Sequence, residues 1–164
     1  MSFTILKATP EMAQRISALI HLSFSTLAAA DWEAGARERF LGDTSADGIS
    51  KALVDPAFAA VGMEAGRLAG FILMRKPTVV AMLFVHPDEL RKGIARRLWE
   101  AARGHLEVAY PRVTTVELNA TPYALPAYKA LGFVPISAQF IRGGSRATRM
   151  ACWLPARKLG ADSI

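Results

Sequence analysis

Leu83-Phe84-Val85-His86-Pro87-Asp88-Glu89-Leu90-Arg91-Lys92-Gly93-Ile94-Ala95-Arg96-Arg97-Leu98 closes a continuous apolar run and, through a short basic turn with one glycine, opens an amphipathic helix. A strand that delivers such a turn to a helix start gathers unpaired backbone N–H groups and the positive end of the helix dipole at one point, which makes an anion site. The stretch therefore reads as a phosphate cradle. Its bland alternative is a plain strand-to-helix connection, which many α/β proteins contain.

A second motif follows the first. Thr121-Pro122-Tyr123-Ala124-Leu125-Pro126-Ala127-Tyr128-Lys129-Ala130-Leu131-Gly132-Phe133 reads as a short helix closing on Leu-Gly-Phe. Together the two resemble the GNAT superfamily of N-acetyltransferases, whose acetyl-CoA site pairs a Gln/Arg-x-x-Gly-x-Gly/Ala turn with a later Ala-x-x-(Phe)-Tyr-x-x-x-Gly-Phe helix. The Gln/Arg that opens the family turn falls on Leu90, with Arg91 one place later, while Gly93 and Ala95 take the two small positions. The resemblance covers roughly residues 79 to 134. It implies an α/β fold, the single-domain acyl-CoA N-acyltransferase (GNAT) fold, with a mixed central sheet of about seven strands flanked by helices. It also implies that the strands ending at Val85 and near Asn119 splay apart, with the cofactor in the V between them.

Composition sets the frame. The 164 residues are enough for one domain with a real core, assigned here to residues 1–155, with 156–164 as a tail. With 52% hydrophobic and 21% charged residues, the chain reads as a globular body rather than a disordered one. Thr78 to Val85 is too short to span a bilayer as a helix, and no signal-like segment opens the chain, so the expected location is cytoplasmic. Cys152 is the only cysteine, which excludes an internal disulfide and reads as a buried filler. The net charge of +6 gathers at Arg91, Lys92, Arg96 and Arg97, and again at Arg142, Arg146 and Arg149. The first group suits phosphates, and the second suits substrate, solvent or a partner.

Thr4 to Lys7 reads as a strand, and Thr9 and Pro10 begin a helix that runs to about Ala28. Trp32 to Leu41 and Ala46 to Val54 read as two helical pieces separated by Gly42-Asp43-Thr44. Phe58 to Met63 and Arg67 to Met74 form a hairpin, and Thr78 to Val85 is expected to be a central strand covered on both faces. After the turn, Ile94, Leu98, Ala101, Ala102 and Leu106 share an inward helix face. Val113 to Asn119 alternates, with Val116 and Leu118 on one face and Thr115, Glu117 and Asn119 on the other. Pro126 requires the Tyr128 helix to start near Ala124. Val134 to Ile141 and Ala147 to Leu154 flank Arg142-Gly143-Gly144-Ser145, a hairpin signal.

The resemblance assigns roles. The turn from Arg91 through Lys92, Gly93, Ile94 and Ala95 to Arg96 would take the pyrophosphate of CoA through backbone N–H groups helped by Lys92, though Arg96 and Arg97 equally suit a solvated helix face. Leu83, Phe84 and Val85 would pair their main chain with the pantetheine amides, and an amide near Phe84 would hold the thioester oxygen. Asn119 and Thr121 would serve the cofactor, Thr121 otherwise capping the following helix. Tyr128 aligns with the family's general acid, its alternative being a packed phenol. For a base, Glu117 ranks first, ahead of Glu64, Asp31 and His86, and a cross-strand salt bridge explains it as well.

The activity expected is transfer of the acetyl group of acetyl-CoA to a primary amine, on a small molecule or a peptide, by direct attack in a ternary complex and without a metal. Two other classes stay open: a catalytically silent acyl-CoA sensor or interaction module, and, on charge alone, a nucleic-acid-binding domain that lacks any base-reading pattern. A homodimer through the late hairpin is compatible with the sequence.

Overall fold

The computed structural model describes residues 2–155; the tail expected at 156–164 lies outside them. Among the described residues eight strands form two four-stranded sheets, which meet in a V where Val79 pairs parallel with Glu117. The first sheet has the order β1 (Phe3–Lys7), β2 (Phe58–Glu64), β3 (Arg67–Met74), β4 (Met82–Val85), all antiparallel. In the second, β8 (Ser145–Trp153) lies between β5 (Thr115–Ala120) and β6 (Val134–Pro135) and also pairs with β7 (Phe140–Arg142). This is the α/β architecture expected, with one strand more than the seven anticipated and with its pieces divided between two sheets. No helix among the described residues is long and apolar enough to cross a membrane.

Five α-helices cover the sheets: α1 (Ala13–Leu27), α2 (Ala34–Asp43), α3 (Ala46–Ala52), α4 (Ile94–Ala109) and α5 (Leu125–Ala130). Ile16, Ile20 and Ile49 of α1 and α3 pack with Phe71 and Leu73 on one face of the first sheet. On the other face Ile94, Leu98, Ala102 and Leu106 of α4 pack with Ile72, Val116 and Phe133. The inward stripe expected for α4 is present, but Trp99 joins it and is 2% exposed, while Ala101 lies at its margin. Leucine and alanine keep the helix close to the sheet, and the indole fills the space toward Phe133, 5.0 Å away between ring centroids.

The strand buried on both faces is β3, from Leu68 to Met74, and not Thr78–Val85. The Thr78–Val85 run divides. Val80 N donates to Glu117 O at 3.0 Å and Glu117 N to Thr78 O at 2.8 Å, so its first half is stitched parallel to β5. Its second half, β4, pairs only with β3 and is half-buried along its length. An uninterrupted apolar run marks burial but does not say which neighbour supplies it.

Gly70 explains how α4 and β4 reach their places. A Cβ there would lie 2.8 Å from both Ile94 Cγ2 and Leu98 Cδ1, so only glycine lets the helix sit this close. The pairing of β2 with β3 shifts register beside it, Gly62 facing Gly70 and Met63 facing Leu68.

Two other boundaries differ from expectation. Gly42 and Asp43 belong to α2, and the break comes at Thr44-Ser45, where the Ser45 hydroxyl caps α3 by accepting from Gly48 N at 3.2 Å. The stretch expected as one strand from Val134 to Ile141 is two, β6 and β7. Between them Ser137 Oγ accepts from Arg149 N at 3.0 Å, so a hydroxyl takes the place of a ladder carbonyl. Gly143 and Gly144, with φ of 58° and 86°, form the two-residue turn between β7 and β8.

Candidate functional site

Beyond Val80 and Glu117 the strands β4 and β5 part, and a cleft of about 520 Å³ opens between them. One of its walls is β4. His86 N donates to Ala69 O at 2.8 Å, and with Phe71 opposite Phe84 the pairing parity directs the amides of Met82 and Phe84 toward β3. The amides and carbonyls of Leu83 and Val85 face the cleft instead, a free edge of the kind that an extended amide chain can extend. The free amides nearest Phe84 are therefore those of its two neighbours, while Phe84 itself also lines the cleft.

At one end of this edge lies the turn. Gly93 adopts φ 78° and Arg91 φ 64°, two left-handed residues separated by Lys92. None of the amides from Arg91 through Arg96 donates to a backbone carbonyl, and the helix proper begins to bond with Arg97 N to Gly93 O at 3.0 Å. A Cβ at Gly93 would meet no protein atom within 4 Å, so the glycine is required by the backbone conformation and by whatever approaches from the open side. Ile94 is buried in the core and anchors the turn, and Leu90 and Ala95 line the cleft. Converging free amides at the start of a sixteen-residue helix fit a diphosphate.

The basic side chains do not behave as one group. Lys92 Nζ lies 2.6 Å from Glu89 Oε2, and the other carboxylate oxygen accepts from Arg67. Glu89 is buried, and Lys92 and then Arg67 hold its carboxyl below the usual range, as the same bond raises the Lys92 ammonium. Lys92, expected to help the turn bind phosphate, has its ammonium paired with Glu89, where it braces the turn. Arg97 stacks on the Phe3 ring at 4.2 Å, and Arg96 Nη2 donates to Ala130 O at 2.6 Å. Arg91 is exposed and makes no ion pair among the described residues.

The opposite wall comes from β5 and α5. Asn119 and Thr121 line the cleft, and Thr121 holds the entry to α5, its carbonyl accepting from Ala124 N and Leu125 N at 3.0 Å. Helix α5 starts at Leu125 with Pro126 in its first turn, where a proline costs nothing. That start presents Ala124, Ala127 and Tyr128 to the cleft. The Tyr128 ring packs edge-on against Phe133 at 5.8 Å, and its hydroxyl makes no hydrogen bond to the described residues. Burial pushes the phenol up to about 12. Leu90 and Ala95 of the turn, the free strand edge and Tyr128 thus border one space.

Glu117 is not brought there. It lies at the apex of the V, where its backbone is tied to Thr78 and Val80, and it lines neither this cleft nor the cavity beside it. Alternation put it on the same strand face as Asn119, but only past the apex do the sheets separate. Glu64, Asp31 and His86 do not line the two cavities either. The carboxylate that does is Asp43, which borders both; its helical spacing after Phe40 was the signal available in the sequence. Cys152 is buried, and that burial pushes its thiol up, as suits a filler. No cluster of metal-ligating side chains occurs among the described residues.

Comparison with known proteins agrees with this fold. A GCN5-related N-acetyltransferase from Rhodopseudomonas palustris superposes with a TM-score of 0.80 at 20% identity, over 94% of this chain and 97% of that one. The PaiA N-acetyltransferase of Thermoplasma acidophilum, solved in complex with coenzyme A, gives 0.77 at 17% identity, over 94% and 100%. The ribosomal-protein-S18-alanine N-acetyltransferase of Escherichia coli gives 0.66 at 19%, over 99% of both chains. No curated protein sequence matches the chain. The family profile described as an acetyltransferase (GNAT) domain matches residues 26–154, a span that includes the cleft from α2 to β8, and the chain belongs to the GNAT superfamily of N-acetyltransferases.

Proposed function

We propose that this protein transfers the acetyl group of acetyl-CoA to a primary amine by direct attack in a ternary complex. The observation that supports the proposal is the shared cleft: Leu90 and Ala95, at the start of and within the turn whose amides are free, line the same space as Leu83, Val85 and Tyr128. When bound, acetyl-CoA supplies a thioester carbon that forms the new C–N bond as its C–S bond breaks, the electron pair leaving on sulfur.

In this reading the amides of Arg91, Lys92, Gly93, Ile94, Ala95 and Arg96 bind the diphosphate, with Arg91 the free cation nearby. Leu83 and Val85 pair through their main chains with the pantetheine amides, and the one nearer the thioester polarises its carbonyl. Tyr128 donates a hydrogen bond to the departing sulfur. With the phenol at about 12, full proton transfer to a thiolate near 8.5 is uphill by about 5 kcal/mol, so hydrogen bonding rather than protonation is its contribution.

Deprotonation of the acceptor falls to Asp43 or to water beside Asn119 and Thr121. An α-amine near 7.8 is already about a tenth neutral at pH 7, whereas a lysine amine is neutral in only about one molecule in 2,500. Thermal shift with acetyl-CoA, CoA and ATP, followed by thiol-release assay over an amine panel, tests the proposal. A rise in Tm with both CoA compounds and amine-dependent thiol release is the expected result. Binding without thiol release for any amine would assign the protein to the silent, acyl-CoA-sensing class instead.

A further inference from the structure

Beside the acetyl-CoA cleft lies a second cavity of about 610 Å³, and the two share Trp32, Phe40, Asp43, Asn119 and Thr121 as common wall. Its charge is segregated. Among the described residues Asp43 is the one carboxylate bordering either cavity, and it stands at the boundary with the aromatic rings of Trp32 and Phe40, 5.4 Å apart. Beyond that boundary the charged lining is cationic: Arg39 from α2, and Arg142 and Arg146 from the β7–β8 hairpin.

Arg39 is held in place without being neutralised, and no carboxylate pairs with any of the three among the described residues. Arg39 Nη2 donates to Gly143 O at 2.7 Å and Glu33 N donates to Gly144 O at 2.9 Å, so the start of α2 and the hairpin turn are tied together. The guanidinium groups of Arg142 and Arg146 have no ion pair or hydrogen bond among the described residues. The Trp32 indole Nε1 is buried and lacks an acceptor. Like charges gathered at a concave wall repel one another, so an anionic ligand there relieves them.

We propose that the acceptor is a small amine bearing an acidic group, a carboxylate or a phosphate, with that group held by Arg142 together with Arg39 and Arg146 and with its amine beside Asp43 and the Trp32 and Phe40 rings. This rests on the transferase reading for the direction in which the amine points. Guanidinium groups bind carboxylate and phosphate through paired hydrogen bonds, and aromatic faces beside a carboxylate favour an ammonium. The sequence gathered Arg142 and Arg146 with Arg149 as a group suited to substrate, solvent or a partner; Arg39 joins the first two only in the fold, and Arg149 lines neither cavity.

Thiol-release kinetics at saturating acetyl-CoA test it, with glutamate, β-alanine and phosphoethanolamine set against putrescine and spermidine. The acidic amines are expected to have kcat/KM at least about tenfold higher, and the carboxylates and phosphoethanolamine distinguish the two acidic groups. Arg142→Ala should raise KM for the acidic amines about tenfold or more and leave that for acetyl-CoA unchanged, whereas Arg112→Ala, outside both cavities, should change neither. Preference for the polyamines, or an Arg142→Ala protein of unchanged Tm and unchanged KM, would overturn the inference while leaving the transferase reading intact. Glutarate binding followed by tryptophan fluorescence reads the site without acetyl-CoA. Saturable quenching that is lost in Arg142→Ala supports the anion site even if no thiol is ever released, and absence of quenching at millimolar glutarate counts against it.

Discussion

The guanidinium of Arg96, in the first turn of α4, donates to the carbonyl of Ala130, the last residue of α5, across 2.6 Å. The two helices belong to the two walls of the cleft, so this bond links the Arg91–Arg96 turn to the helix that carries Tyr128. It also satisfies a carbonyl at the C-terminal end of α5 that no helical N–H can reach. Because Arg96 is exposed, Arg96→Met should cost no more than about 1 kcal/mol in stability. The catalytic effect should be larger: KM for acetyl-CoA and kcat should both worsen, by roughly fivefold each, as steady-state kinetics will read.

Gly93→Ala separates conformation from contact. No protein atom lies within 4 Å of the added methyl, so the folding penalty is that of a left-handed alanine, about 1 kcal/mol. If the amides of this turn hold the diphosphate, affinity for CoA by titration calorimetry should fall at least about tenfold, well beyond the shift in Tm.

Tyr128→Phe should lower kcat by about 10²-fold with little change in KM for acetyl-CoA. The phenol at about 12 stays protonated over the whole working range, so the wild-type pH profile should show no alkaline decline from Tyr128 below about pH 11. Ultraviolet titration should find a phenolate step near 12 that the variant lacks. An unchanged kcat would remove the hydroxyl from the reaction.

Glu89 predicts a pH dependence of stability. Its folded pKa lies below the ordinary 4.5, so its contribution is whole above that pH and is lost as pH falls through the folded value. Lys92 has the opposite sign, its pKa being raised above 10.5 in the fold, so its share is whole below 10.5 and lost as pH rises past the folded value. The Tm difference between wild type and Glu89→Gln should be widest from about pH 5 to 10 and shrink on both sides in thermal melts.

Asp43→Asn and Glu117→Gln distinguish the two carboxylates. Only Asp43 of the two borders the cavities, so its replacement should depress kcat/KM for the amine about tenfold or more, while Glu117→Gln should stay within about threefold of wild type. The reverse order in steady-state assays would return the proton-accepting role to the strand.

The chain itself specified whatever rests on neighbours in sequence: the left-handed glycine before α4, the late start of α5 forced by Pro126, the Gly143-Gly144 turn and the apolar stripe of α4. In each case local dihedral preference or helical spacing dictates the outcome whatever surrounds it. It could not specify that Thr78–Val85 would divide between two sheets, that Glu89 would draw Lys92 toward Arg67, or that Glu117 would lie at the apex while Asp43 borders the cleft. Those outcomes depend on where the two sheets diverge and on which distant backbone fills each edge. Pairing across long stretches of chain is settled by the sum of packing on both faces, and no single segment carries that sum.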